Sequence, residues 1–98
     1  MSWTFLTNHA HVLMCIARDP ETRLRDVATD VGITERAAQR IVGELEDAGY
    51  LVRRREGRRN VYELRADRPL RHPLDHEHDV GELLKVLGKP RGSRSGSD

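Results

Sequence analysis

Arg36, Gln39 and Arg40 stand at helical spacing and carry side chains suited to reading base-pair edges. Arginine offers two parallel N–H groups that match O6 and N7 of guanine, and the glutamine amide matches N6 and N7 of adenine. Five more arginines, Arg53, Arg54, Arg55, Arg58 and Arg59, fall within seven positions around Gly57, and Asn60 follows them. Like charges packed this closely repel one another, and an arriving phosphate relieves the repulsion. The chemistry shared by these types is non-covalent recognition of a polyanion that also displays base edges. No nucleophile–base pair, phosphate-binding glycine loop or paired carboxylate accompanies them. An enzyme is therefore not expected, and no cofactor or metal is implied.

The charge distribution points the same way. The chain of 98 residues has a formal net charge of only +1. From Met1 to Gly49 five arginines face eight acids, whereas from Tyr50 to Arg65 six arginines face only Glu56 and Glu63. The rest balances. A local basic patch in a near-neutral chain is the electrostatic footprint of a phosphate binder.

These residues need elements to hold them. Asn8 is expected to cap a first helix that runs to about Arg18, with Val12, Leu13 and Ile16 on one face. Asp19-Pro20 stops it, since proline lacks the N–H and disfavours helix in the residue before it. Glu21 to Leu24 reads as a short extended stretch, and Arg25 to Val31 as a second helix. Gly32 supplies a sharp turn. Thr34 caps a third helix reaching about Ala48, whose inward stripe is Ala38, Ile41, Val42 and Leu45. That stripe leaves Glu35, Arg36, Gln39, Arg40 and Gly43 facing outward. Glu44, Glu46 and Asp47 sit at the helix end disfavoured by its dipole, which suggests solvation or basic partners.

Tyr50–Arg55 and Asn60–Leu64 read as two short strands joined at Gly57, with Tyr62 and Leu64 anchoring them to the core. An irregular stretch with two prolines leads to a last helix striped by Val80, Leu83, Leu84 and Leu87. The composition of 88–98 is that of a disordered tail. The expected organisation is a DNA-binding domain over 8–65, a linker and C-terminal helix over 66–87, and the tail. The fold class is mainly α with a small β-hairpin, α+β: a three-helix core, the hairpin as a wing, and a C-terminal helix.

The segment GITERAAQRIVGELEDAGYLVRRREGRRNVYEL resembles the recognition helix and wing of MarR- and ArsR-type winged helix regulators. Leu45, Gly49, Tyr50 and Leu51 match the helix ending, Gly57, Arg58 and Arg59 the wing tip, and Tyr62 and Leu64 its closure. The resemblance spans about Asn8 to Leu64. It implies a homodimeric, double-stranded DNA-binding transcription regulator, with the third helix in the major groove and the wing on the minor groove or phosphates. The residues expected to touch DNA are Thr34, Glu35, Arg36, Gln39, Arg40, Arg54, Arg55, Arg58, Arg59 and Asn60. The dimer is expected to use Trp3, Phe5, Val80, Leu83, Leu84 and Leu87. The chain lacks the cysteine-rich motif of ArsR-type metal sensors, and it carries little of the terminal helical domain of MarR-type proteins, so the sequence specifies no effector.

Other readings compete residue by residue. The third-helix face can be a solvated surface, and charge on the hairpin can simply protect an edge strand from aggregation. A winged helix can also dock proteins instead of DNA, although such modules generally lack a basic wing. His72, Asp75, His76, Glu77, His78 and Asp79 can be drawn as a metal-gating cluster, but a solvated polar linker accounts for them more simply. Cys15, among Val12, Leu13 and Ile16, reads as a small buried hydrophobe. No run approaches the roughly 20 apolar residues of a membrane span. No secretory signal is visible and Cys15 stands alone, so a cytoplasmic protein, nucleoid-associated when bound to DNA, is expected.

Overall fold

The computed structural model describes residues 3–87, so the tail expected at 88–98 lies outside the described residues. The order is α1 (Asn8–Arg18), α2 (Leu24–Val31), α3 (Glu35–Asp47), β1 (Leu51–Glu56), β2 (Arg59–Leu64) and α4 (Val80–Leu87). Three helices and a two-stranded antiparallel hairpin make a winged helix, with α4 added behind it.

Helix starts are set by hydroxyl caps in two cases. Thr34 Oγ1 accepts from Ala37 N at 3.0 Å, as its position before α3 predicts. For α1 the cap is Thr7 rather than Asn8, with Thr7 Oγ1 accepting from Ala10 N at 3.2 Å. Both residue types cap well, and only the backbone shows which one keeps extended φ and ψ. Of the stretch expected to be extended, Glu21–Leu24, only part is so: Pro20 and Glu21 form a turn, Arg23 is extended at φ −86° and ψ 147°, and Leu24 opens α2 one residue early. Asp19 holds that turn, accepting from Thr22 N at its carbonyl and from Glu21 N at its carboxylate, 3.0 and 3.1 Å away. Gly32 ends α2 at φ 87° and Gly49 follows α3 at φ 89°, both in the left-handed region that glycine enters without a steric cost.

One core gathers these elements. Val12, Ile16, Val27 and Val42 are fully enclosed, and Leu13, Ile41, Leu45, Tyr50, Leu51, Tyr62 and Val80 complete the cluster. Every member of the inward stripe predicted for α3 is buried. Cys15 is only partly buried, packed against the cluster's edge. The hairpin register pairs Leu51 with Leu64 and Arg53 with Tyr62. A backbone bond from Tyr62 N to Pro20 O, 3.0 Å, ties β2 to the turn between α1 and α2. That bond, the Arg59–Glu21 pair and the burial of Tyr62 together set the wing's position relative to α2.

The segment 66–79 is laced to the domain rather than trailing from it. Tyr50 donates its hydroxyl to Pro69 O at 2.6 Å, Val80 N donates to Arg68 O at 2.9 Å, and Gly81 N donates to Ala66 O at 2.8 Å. The approach at Gly81 is close: a Cβ there would meet both the Cβ and the carbonyl of Ala66 at 2.9 Å. The lacing delivers Val80, 4% exposed, into the core of its own chain, with Leu84 packed against that core. The helix assigned by its sequence to a dimer seam thus spends part of its stripe on α1. Arg18 closes the contact by donating to Leu87 O at 3.1 Å. Among the described residues no helix is long and apolar enough to cross a membrane.

Candidate nucleic-acid interface

The outer face of α3 presents Thr34, Glu35, Arg36, Gln39 and Arg40, all exposed, with Gly43 one further turn along. Arg36 and Gln39 make no side-chain hydrogen bond or ion pair among the described residues. Arg40 is held differently. It lies 3.3 Å from Glu44, one turn down the same helix, and Glu44 also takes a 2.6 Å bond from His9 on α1. The His9 hydrogen bond, aided by Arg40, keeps the Glu44 carboxyl below its ordinary range. Glu44 is thus paired, as its place near the helix C-terminus suggests, and one of its partners is a candidate base reader. A Cβ built on Gly43 meets nothing within 4 Å, so no packing inside the molecule demands glycine there.

That emptiness gives a first test. Alanine is favoured over glycine inside a helix by about 0.5–1 kcal/mol. Gly43→Ala is expected to raise thermal stability while weakening DNA binding, because the added methyl stands where a phosphate would approach the backbone. If the variant is stabilised and binds DNA as tightly as the wild type, α3 does not approach a duplex at this turn.

The wing differs from the arginine array pictured from sequence. The expectation of five mutually repelling arginines awaiting an anion is corrected by their partners. Arg53 makes two bonds to the Glu46 carboxylate, 2.9 and 2.8 Å, and lies over the Tyr62 ring at 5.9 Å. The Glu46 hydrogen bond raises the Arg53 pKa further above its already high value. Burial raises the pKa of the Tyr62 phenol beneath it. Arg53 therefore bolts the wing to the end of α3 and is not a free phosphate ligand. Arg54 stands 3.9 Å from Glu56, Arg55 reaches Gly57 O at 3.4 Å, and Arg59 is paired with Glu21. Arg58 alone of the five has no polar partner among the described residues. Asn60 is half-buried on β2, opposite Arg55.

Residues 8–52 match a family model described as winged helix-turn-helix DNA-binding. The chain has a winged helix-turn-helix fold, and over those residues it is similar to DNA-binding domains of that kind. Among solved structures it is similar to a MarR family protein of Mycobacterium tuberculosis in complex with salicylic acid, at 26% identity and TM-score 0.52. That likeness covers 62% of this chain and 48% of the mycobacterial one, so the chain spans about half of that relative's length. No curated protein matches it.

The winged helix also brings in residues that sequence reasoning did not assign to the interface. Arg23 and Arg25, counted there as balanced by nearby acids, lie with Arg58, Arg59 and Asn60 around one cleft of about 480 Å³. A local charge count could not find them, because the wing is more than 30 residues away in sequence. The candidate dimer residues divide as well. Val80 is buried within the chain, while Trp3 and Phe5 are 70% and 92% exposed and stack edge to face at 5.0 Å. Among the described residues no cluster of three or more His, Cys, Asp or Glu is placed to hold a metal. His78 of the polar stretch bonds Glu82, and His72 accepts from Leu74 N.

Proposed function

We propose that this chain is a sequence-specific transcription regulator that binds double-stranded DNA as a homodimer. The observation that carries the reading is the outer face of α3, where Arg36 and Gln39 have no partner among the described residues, flanked by a wing whose tip arginine Arg58 likewise has none among them. Thr34, Glu35, Arg36, Gln39 and Arg40 face the major groove, and Arg54, Arg55, Arg58, Arg59 and Asn60 ride the minor groove or the phosphates. Residues 8–65 supply DNA contact, and 66–87 supply a covering segment and part of the dimer seam. A cytoplasmic place beside the nucleoid follows from the partner. Selection of bound sequences from a random duplex pool tests the proposal: enrichment of one palindromic motif supports it, and recovery of the pool unchanged counts against sequence-specific reading.

The dimer rests on apolar surface that folding leaves uncovered. Trp3, Phe5 and Val86 are largely exposed, and Leu83 and Leu87 are half-exposed beside them on α4. A two-fold pairing through this surface would set two recognition helices about one DNA turn, roughly 10 bp, apart. Phe5→Glu with Val86→Glu alters only exposed positions and so spares the core. Sedimentation at micromolar concentration is expected to show a dimer for the wild type and a monomer for this double variant. A monomeric wild type, or a variant that stays dimeric, removes this seam.

The mycobacterial relative's salicylic acid makes a small aromatic carboxylate the first effector to try. An apolar groove of about 820 Å³ runs between Phe5, Leu13, Tyr50, Leu70 and Leu83, with His9 and Arg71 also lining it. Weakened DNA binding on adding salicylate would support an effector role for this groove.

A further inference from the structure

The cleft between the start of α2 and the wing holds four arginines and one acid. Its lining includes Arg23, Arg25, Arg58 and Arg59, together with Asn60 and a single carboxylate, Glu21. Arg23, Arg25 and Arg58 make no side-chain hydrogen bond or ion pair among the described residues. Arg59 does, and its partner is that one acid, Glu21, which sits 38 positions away in sequence. The pair is not deeply placed, since Arg59 and Glu21 side chains are 66% and 52% exposed. It does not fasten the wing alone, because Tyr62 N also bonds Pro20 O. Glu21 is therefore an anion lodged among cations on a surface that opens to solvent, beside the tip of the wing.

We propose that this cleft seats backbone phosphates of the same duplex that α3 reads, and that Glu21 is a built-in competitor which occupies Arg59 until a phosphate displaces it. The inference rests on the DNA-binding reading above. A phosphodiester is the ligand class that suits the cleft: it is anionic, it offers several acceptor oxygens, and successive phosphates along a strand can meet several guanidinium groups in turn. Arginine pairs a phosphate and a carboxylate through the same fork of N–H groups, so the two anions exclude each other at Arg59. In the wild type, Arg59 exchanges one anion for another and adds little to counterion release. With Glu21 neutralised, Arg59 contributes in full.

The test uses the full chain, with random-sequence duplex DNA titrated over a salt series. Glu21→Gln is expected to tighten binding about two- to fivefold, the range of one exposed ion pair. It is also expected to steepen the log–log salt slope by about 0.9 per protomer. Arg23→Ala with Arg25→Ala is expected to weaken binding and flatten the slope by about 0.9 for each arginine lost. Melting temperatures check that the variants stay folded, and Glu21→Asp should restore wild-type behaviour. If Glu21→Gln changes neither affinity nor slope while Arg36→Ala still weakens binding to the selected site, the cleft lies off the DNA path and the proposal falls alone. If neither wild type nor variants bind any duplex at low salt, the DNA reading falls with it. Pyrophosphate is the second arm: if Glu21→Gln binds it at micromolar concentration yet gains nothing on duplex DNA, the cleft serves a free anion, and the proposal is overturned.

Discussion

Duplex binding is expected to weaken by about 10³–10⁵-fold between 50 and 200 mM salt, provided a dimer neutralises about six to ten phosphates. The structure sharpens the source of that number. Among the described residues Arg23, Arg25, Arg36 and Arg58 have no carboxylate partner, which gives about eight such guanidinium groups in a dimer, within the range that produces such a slope. Arg40, Arg54 and Arg59 already lie near Glu44, Glu56 and Glu21, so each must trade a carboxylate for a phosphate and releases fewer bound ions. Arg53 is expected to contribute least, because its two bonds to Glu46 hold the wing on α3. Fluorescence anisotropy over a salt series measures the slope directly. A shallow slope, or no binding at low salt, would mean that the basic surface does not meet DNA, and would favour docking of a protein partner through the same face.

The second large effect separates the helix from the wing. Arg36→Ala is expected to cost about 1–3 kcal/mol on the selected site, a loss of roughly 5- to 150-fold, and to relax the base preference there. Arg40→Ala should fall at the lower end, because Arg40 begins in an exposed pair with Glu44 rather than free. Arg58→Ala should weaken selected and random duplexes alike and flatten the salt slope by about one unit per protomer. The comparison of each variant on the two DNAs carries the result. Equal losses on both for Arg36→Ala would show that α3 grips the backbone and does not read bases.

Local rules made much of this chain legible in its sequence. The stripe Ala38, Ile41, Val42 and Leu45 fixed the inner face of α3, and with it the outer face bearing Arg36 and Gln39, because helical periodicity ties one face to the other. Thr34 capped as its type and place require, and Gly32, Gly49 and Gly57 took the positive φ values that their turns need. Near-neighbour effects also misled in small ways, as where Thr7 outcompeted Asn8 for the cap of α1.

Long-range geometry decided the rest. Arg59 met Glu21 across 38 positions, His9 met Glu44 across 35, and Arg18 met Leu87 across 69. Charge counted along the chain could not reveal that the wing would find acids on α2's approach and on α3, or that Arg23 and Arg25 would join it around one cleft. The stripe of α4 was equally visible and equally silent about its partner, since apolar burial is non-directional. Periodicity shows that Val80 and Leu84 need covering. Only the Tyr50 hydroxyl that holds Pro69, with the backbone bonds from Val80 and Gly81 back to Arg68 and Ala66, brought them to α1 of their own chain.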